Sequence, residues 1–222
     1  MGFTAIIIGA TGLTGSTLLT QLLENNIYDV AVTLSRKRIP NNHSKHKNYG
    51  VDLFDPSTYQ EHIKGDHLFI CTGTTQAKTP DKKDYYRVEH DLPVEVSEVA
   101  LKNSISKVIV ISALGASPES KFMYNRGKGE MERDIEALGF KENYFVQPAL
   151  IGGKRDEKRP FESAWKKFQK VIDPLFLGFL KKYRTIKPQT IANAMIYVAV
   201  NGYDKVRIES DELAKVASSS NL

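Results

Sequence analysis

The sequence has little cysteine and lacks any long hydrophobic run. Cys71 is the only cysteine in 222 residues, so no disulfide can form within the chain. This is typical of a reducing compartment, and we expect a cytoplasmic protein. The most apolar late segment, 174–180, is too short to cross a bilayer and is followed by two lysines, so we expect no membrane partner. A leader peptide is not expected either, because the apolar N-terminal run leads directly into a glycine turn.

A large excess of charge of one sign is also missing. The chain has 31 basic and 26 acidic side chains, and its formal net charge of +5 suits small anionic ligands without indicating nucleic acid. The basic stretch 36–47 lacks interleaved aromatic residues and any recognisable reader motif, so we expect no nucleic-acid partner. The five histidines lack the spacing of metal ligands, and no metal site is predicted.

Apolar runs typical of buried strands alternate with amphipathic runs typical of helices. The predicted strands are Phe3–Ile8, Asp29–Leu34, Tyr49–Val51, His67–Cys71, Lys107–Ser112, Asn143–Gln147 and a short Val206–Ile208. The predicted helices are Thr14–Asn25, Pro56–Ile63, Tyr85–Asn103 with a break near Asp91, Tyr124–Leu138, Ser163–Lys170 and Ile191–Val200. This alternation predicts an α/β fold, a doubly wound Rossmann-type parallel sheet in the order 3-2-1-4-5-6, with a short seventh strand and helices on both faces. No linker divides the chain, so we expect one domain over residues 1–222, with small substrate-side elements from residues 150–190.

A glycine-rich loop follows the first predicted strand and opens the first predicted helix. It reads Gly9-Ala10-Thr11-Gly12-Leu13-Thr14-Gly15. Gly9 permits the tight turn, Gly12 lets the backbone approach a pyrophosphate, and Gly15 lets the helix pack closely on the strand. With Thr11 and Leu13 between them, these residues are predicted to bind a dinucleotide at the unpaired amides of the helix start. The alternative is a glycine-rich loop without a ligand.

The end of the second predicted strand indicates which dinucleotide is bound. An acidic residue there would bind the ribose hydroxyls of NAD, but the strand ends in Ser35, Arg36 and Lys37. Arg36 and Lys37 can neutralise a 2′-phosphate, and Ser35 can donate a hydrogen bond to it. We therefore predict NADP as the cofactor in preference to NAD. The alternative is that these cations belong to a solvated basic face.

Two further segments are predicted to contact the adenosine half of the cofactor. Asp52 follows the third strand and can accept from the adenine amino group, with Leu53 beside the ring. Thr72, Gly73 and Thr74 follow the fourth strand and are expected to lie against the adenosine. The alternative for Asp52 is a turn or a helix cap, a common role of aspartate.

Tyr124 and Lys128 are four residues apart and share one face of a predicted helix. A nearby ammonium lowers the pKa of a phenol from its usual ~10, which suits it to acid–base chemistry. Lys128 can also hold the nicotinamide ribose. Ser112 ends the fifth strand and can polarise the substrate carbonyl. These three residues predict hydride transfer at a small carbonyl or hydroxyl compound, with Tyr124 moving the proton. The alternative is a surface pair on a helix.

Together, the glycine loop, Asp52-Leu53, Ser112 and the Tyr124/Lys128 pair resemble the atypical branch of the short-chain dehydrogenase/reductases over nearly the whole chain. Further segments are similar to the Tat-interacting-protein type of NAD(P)-binding oxidoreductase, and these are Cys71–Thr75, Phe122–Tyr124, Lys128–Glu130 and Gln147–Gly152. Arg-Pro is more usual in that type than Gln147-Pro148. The resemblance implies an NADP-binding fold, a Ser-Tyr-Lys catalytic set, and Pro148 among the cofactor-side residues.

The resemblance leaves the function open between two classes. One is an NADP-dependent oxidoreductase, and the other is an NADP(H)-binding regulatory or scaffold protein with little or no turnover. Asn103 is a candidate fourth catalytic residue only by location, and we expect it to end a helix. Aromatic residues after the sixth strand, Phe161 and Trp165 among them, are expected in the core, in a pocket wall or at a subunit contact, which leaves a homodimer open.

Overall fold

A seven-stranded parallel sheet organises the chain, of which the computed structural model describes residues 2–152 and 178–219. Its strands, in chain order, are β1 (Phe3–Ile8), β2 (Tyr28–Ser35), β3 (His46–Gly50), β4 (His67–Ile70), β5 (Lys107–Ile111), β6 (Glu142–Gln147) and β9 (Arg207–Glu209). The short strands β7 (Leu150–Ile151) and β8 (Thr185–Ile186) pair separately. The sheet order is β3-β2-β1-β4-β5-β6-β9, which confirms the predicted order and the short seventh strand.

Helices cover both faces of the sheet, as predicted. Within residues 2–152 and 178–219, the helices are α1 (Leu13–Glu24), α2 (Lys82–Tyr86), α3 (Leu92–Lys102), α4 (Met123–Ala137), α5 (Pro188–Asn201) and α6 (Ser210–Ser219). Alternate residues of β1 point to opposite faces, so Ile7 joins the core beneath α1 and α5, and Ile8 joins the core beneath α3 and α4. Burial on both faces explains why β1 is apolar from Ala5 to Ile8, and the strand was predicted with its observed bounds.

The region between β4 and β5 differs from the prediction in one respect. The chain was expected to break near Asp91, but a π-helical segment, Arg87–Asp91, joins α2 to α3 without interruption. Pro93 lies in the first turn of α3, where its missing N–H is tolerated. The wider π turn absorbs the change in hydrogen bonding, and the Leu92 amide donates to the Arg87 carbonyl. This arrangement turns Glu89 into the interior.

Several smaller elements lie outside the predictions. The helix expected at Pro56–Ile63 is two 3₁₀ turns, Pro56–Thr58 and Gln60–His62, because the buried Tyr59 between them anchors the chain to the core. The polar edge strand β3 begins earlier than expected, and α6 and the β7–β8 pair were not predicted. The helix expected at Ser163–Lys170 and the aromatic residues near it lie outside the described residues. None of the described helices combines the length and apolar character required to cross a membrane.

Candidate cofactor and catalytic site

Gly9 and Gly15 allow β1, β4 and α1 to meet at the carboxyl end of the sheet. Gly9 has a φ of +83°, and a Cβ there would lie 2.6 Å from the Cys71 carbonyl. A Cβ on Gly15 would lie 2.2 Å from the Gly9 carbonyl oxygen. Side chains at either position would separate the first turn of α1 from the strand ends. The glycine loop therefore forms a close-packed cradle.

The start of α1 is open to an anion. Gly12 occupies the N-cap without a side-chain cap, and no acidic residue lies in the first turn. Thr11 and Gly12 are exposed, and Leu13 is half-buried. The first amides of a helix have no partner within it, so they and the helix dipole favour a negatively charged ligand. The predicted loop residues thus fit a pyrophosphate group.

Beside this cradle, β2 ends in an exposed basic segment. Arg36 and Lys37 are exposed, and neither forms an ion pair with another described residue. The buried Ser35 hydroxyl donates to the Lys37 carbonyl oxygen at 2.7 Å. The Ser35 hydroxyl is thus bonded to the backbone, and its donation to a phosphate stays a prediction. The two cations remain compatible with a 2′-phosphate.

Asp52 serves a local turn. Its Oδ1 accepts from the Phe54 amide at 2.9 Å, and its carbonyl oxygen accepts from the Thr58 hydroxyl at 2.8 Å. The alternative that assigned Asp52 to a turn is therefore realised, although its exposed carboxylate also faces solvent. Leu53 is half-buried against the core beneath α3. Contact of these residues with an adenine stays a prediction.

The loop after β4 presents an unpaired hydroxyl at the same edge. The Thr72 hydroxyl is buried and has no hydrogen-bond partner within residues 2–152 and 178–219. The Thr74 amide donates to Glu89 Oε1 at 2.6 Å, and Gly73 lies against the same carboxylate. Burying a hydroxyl without a partner is costly, and a bound ligand with polar groups would remove that cost.

The three predicted catalytic residues converge at the carboxyl end of β5. Ser112 follows β5, is 2% exposed, and has a hydroxyl without a hydrogen-bond partner in the described chain. Tyr124 lies in the first turn of α4 and is 41% exposed, whereas Lys128, one turn later, is 2% exposed. The alternative, in which Tyr124 and Lys128 are a pair on the helix surface, is excluded because Lys128 is buried.

Tyr124 lines a cleft of about 410 Å³. Pro148 and Ala113 form part of its wall, and an ion pair between Lys182 Nζ and Glu209 Oε2, 3.1 Å long, forms a polar wall. Because Ala113 follows Ser112 directly, the cleft lies beside the predicted catalytic residues. A small molecule in this cleft would therefore contact the Tyr124 side chain.

Lys128 has a buried acidic partner that the sequence analysis missed. Its Nζ lies 2.8 Å from Glu89 Oε2, and Glu89 is also 2% exposed. Lys128 also donates to the Ile111 carbonyl oxygen at 3.4 Å. Burial acts to lower the pKa of Lys128, but the charge of Glu89, followed by that of Tyr124, outweighs it and holds the pKa above its ordinary value. The signal in the sequence was a glutamate in register with buried Tyr85 and Leu92.

Two neighbouring groups are not reactive. Burial, then the charges of Glu89 and Tyr124, raises the pKa of the Tyr85 phenol. Burial also raises the pKa of the Cys71 thiol to about 12, against the opposing effect of Lys128. Cys71 is thus a protonated thiol at neutral pH, unsuited to nucleophilic chemistry.

Gln147 and Asn103 serve structural contacts. The Gln147 amide donates to Glu132 Oε1 at 2.8 Å, and Arg207 Nε donates to Glu132 Oε2 at 2.8 Å. The unusual glutamine of the Gln147-Pro148 pair is therefore tied to a buried carboxylate. Asn103 ends α3, as expected, and its amide donates to the carbonyl oxygens of Gln60 and Ile63 at 2.7 and 2.8 Å. It lies before β5, at the edge of the sheet opposite the cleft.

The chain is similar to a known protein family, to fungal proteins and to several solved structures. The model of the family described as "NAD dependent epimerase/dehydratase family" matches residues 5–132. "Protein fmp52, mitochondrial" of Aspergillus fumigatus is 37% identical over 166 residues, which are 71% of this chain and 70% of that protein. Among solved structures, a UDP-N-acetylglucosamine 4-epimerase from Methanobrevibacter ruminantium M1 has a TM-score of 0.69 at 17% identity, covering 96% of this chain and 80% of that one. MoeE5, solved with UDP-glucose and NAD, has a TM-score of 0.64 at 15% identity, covering 97% and 81%.

These relatives correct one expectation. The cytoplasmic location inferred from the single cysteine is contradicted, because the relatives from Aspergillus fumigatus, Aspergillus clavatus and Eremothecium gossypii are all named mitochondrial proteins. The inference failed for a physical reason. A lack of disulfides indicates only a reducing environment, and this does not identify one compartment.

Proposed function

This chain belongs to the NAD-dependent epimerase/dehydratase family, and from that premise we propose that it is an NADP-dependent oxidoreductase acting on a small carbonyl or hydroxyl compound. The observation that carries the proposal is that Tyr124 lines the cleft, while the buried Ser112 directly precedes the cleft residue Ala113 and the buried Lys128 lies against the adjacent Ile111 carbonyl. Within the family, segments such as Cys71–Thr75 and Gln147–Gly152 support the atypical short-chain dehydrogenase/reductase branch and the Tat-interacting-protein type. The names of the fungal relatives support a mitochondrial location.

The cofactor assignment rests on the fit of the chain to a dinucleotide phosphate. The amides at the start of α1 would hold the pyrophosphate, since the glycine cradle has no room for side chains and the helix start is uncapped. Arg36 and Lys37 would neutralise a 2′-phosphate, and this supports NADP over NAD. The unpaired Thr72 hydroxyl supplies a further polar contact at the same edge. When bound, the nicotinamide would supply or accept the hydride.

The reacting proton is assigned to Tyr124. Tyr124 lines the cleft, where its hydroxyl would donate a proton to a carbonyl oxygen or remove one from a hydroxyl. The Ser112 hydroxyl would hold the same substrate oxygen, which would give that buried group its missing partner. The Lys128 ammonium favours the phenolate and therefore assists removal of the proton.

Two measurements test this function. Fluorescence titration with NADPH and NADH reports the cofactor, and a panel of carbonyl compounds reports turnover. We expect Tyr124→Phe to bind NADPH like the unchanged protein and to lose at least ~100-fold in turnover, the usual contribution of a general acid. Tyr197→Phe, which removes a hydroxyl from α5 on the other face of the sheet, is the matched control and should turn over normally. Normal turnover by Tyr124→Phe would refute the assignment of the proton donor.

The second candidate is an NADP(H)-binding regulatory or scaffold protein. The resemblance to the Tat-interacting-protein type favours it. The ion pair that keeps Lys128 charged speaks against it, because a cofactor sensor needs no acid–base pair. NADPH binding without turnover of any compound in the panel, together with a protein partner whose binding requires NADPH, would decide for this candidate.

A further inference from the structure

Glu89 is a buried carboxylate without a role in the proposed reaction. Both of its oxygens are engaged, with Oε1 accepting from the Thr74 amide at 2.6 Å and Oε2 lying 2.8 Å from Lys128 Nζ. Glutamate and lysine are each 2% exposed, so this pair is fully enclosed by protein. Glu89 therefore joins the loop after β4 to the reacting lysine of α4.

The backbone is shaped to bring Glu89 to this position. It lies in the π-helical segment 87–91, between buried Tyr85 on α2 and buried Leu92 on α3. A π turn adds one residue to the helical repeat and so rotates the residues that follow. Such segments are costly for a helix and occur frequently at functional sites. Here the segment points a carboxylate inward, at the helix that carries Tyr124 and Lys128.

We propose that Glu89 is a positioning residue, which holds the Lys128 side chain in its charged form and in a fixed place beside Tyr124. The inference rests on the proposed function. The Lys128 Nζ is ion-paired with Glu89 Oε2 and donates a hydrogen bond to the Ile111 carbonyl oxygen. Because an ammonium has three donors, Lys128 can be held by these two groups and still donate to Tyr124 or a cofactor ribose.

The charge on Lys128 depends on Glu89 more than on any other described group. Its own helix contributes Tyr124 and Glu132, and the end of β4 contributes Cys71. Glu132 is already bound to Gln147 and Arg207, and Cys71 is a protonated thiol. Tyr85, on α2, has its pKa raised by burial and then by the charges of Glu89 and Tyr124, so its phenol stays neutral. Without Glu89, burial would lower the pKa of the Lys128 ammonium, and the remaining groups would oppose this only weakly.

The test is the titration of Lys128 in protein without cofactor. Lysine labelled at the terminal carbon is followed by NMR, and the Lys128 signal is assigned by its loss in Lys128→Met. In the unchanged protein we expect it to titrate above the ordinary lysine value of ~10.4. In Glu89→Gln, which keeps the shape of the side chain, we expect the midpoint to fall by ~2 pH units or more. Glu130→Gln is the matched control, because Glu130 lies on α4 like Lys128 but accepts from the Tyr86 hydroxyl. This variant should leave the Lys128 midpoint unchanged.

Turnover gives a second readout. Glu89→Gln should lose activity as the pH rises through the lowered Lys128 midpoint and recover it at lower pH, whereas a purely structural role would lower activity equally at every pH. If Glu89→Gln does not fold, Glu89→Leu/Lys128→Met, which removes both buried charges, should fold. Failure of this double variant to fold would contradict the proposal.

The outcomes separate this inference from the proposed function. An unchanged Lys128 midpoint in folded Glu89→Gln overturns the role of Glu89, even if the protein binds NADPH and turns over substrate. A lowered midpoint in a protein that binds neither NADPH nor NADH supports the role of Glu89 in holding Lys128 and refutes the oxidoreductase.

Discussion

Replacing Lys128 by methionine should cost much of the stability of this protein. The substitution leaves the Glu89 carboxylate buried at 2% exposure without its counter-charge. Removing one partner of a buried ion pair typically costs ~3–5 kcal/mol, because the remaining charge is uncompensated. Methionine preserves most of the side-chain volume, so a cavity adds little to this cost. We therefore expect the free energy of unfolding to fall by ~3–5 kcal/mol.

The assay is urea denaturation followed by circular dichroism, extrapolated to water. Tyr124→Phe is the comparison, because this side chain lies on the same helix but is 41% exposed. Its loss should stay within ~0.5 kcal/mol, as for most surface substitutions. Adding Glu89→Leu to Lys128→Met should recover at least ~1 kcal/mol of the loss, the signature of two directly coupled residues. A loss below ~1 kcal/mol for Lys128→Met, against the ~3 kcal/mol expected of a broken buried pair, would refute the buried pair.

Three further predictions concern other parts of the chain. Burial, and then the charge of Lys107, lowers the pKa of His67 from 6.5 to about 4, so the unfolded chain binds the proton more readily. Stability should fall by ~3 kcal/mol as the pH drops from 7 through 4, and His67→Gln should show a smaller fall in denaturation at both pH values. Arg36→Glu should weaken NADPH binding roughly tenfold or more and leave NADH binding nearly unchanged in fluorescence titration, and equal losses would contradict the 2′-phosphate assignment. Gly15→Ala, whose Cβ would lie 2.2 Å from a backbone oxygen, should lower the melting temperature and abolish NADPH binding, whereas Gly50→Ala, with its nearest contact at 3.6 Å, should do neither.

The sequence predicted those parts of the fold that a single local signal determines. The strand β1 is apolar at every core position because both of its faces are buried, and its bounds were predicted correctly. The edge strand β3 reads His-Lys-Asn-Tyr-Gly and is nowhere fully buried, so it lacks that signal and was predicted too short. The helix α6 was not predicted, because it ends in a serine-rich tail and carries only a short apolar face.

The candidate site divides along the same line. The glycine loop could be predicted because its glycines stand where neighbouring backbone leaves no room for a side chain, as at Gly15 beside Gly9. Glu89 was missed because a glutamate in a helix is usually exposed, although its spacing from Tyr85 and Leu92 places it on the buried face of the helix. The Lys182 and Glu209 wall of the cleft joins segments that are distant in sequence, and no local pattern predicts such a contact.

The most direct test of the site is a crystal structure of the chain with NADP⁺ bound. We predict that the pyrophosphate contacts the amides at the start of α1 and that the nicotinamide ring lies beside Tyr124 and Lys128. A dinucleotide bound elsewhere, or a ring out of reach of the Tyr124 hydroxyl, would contradict the account.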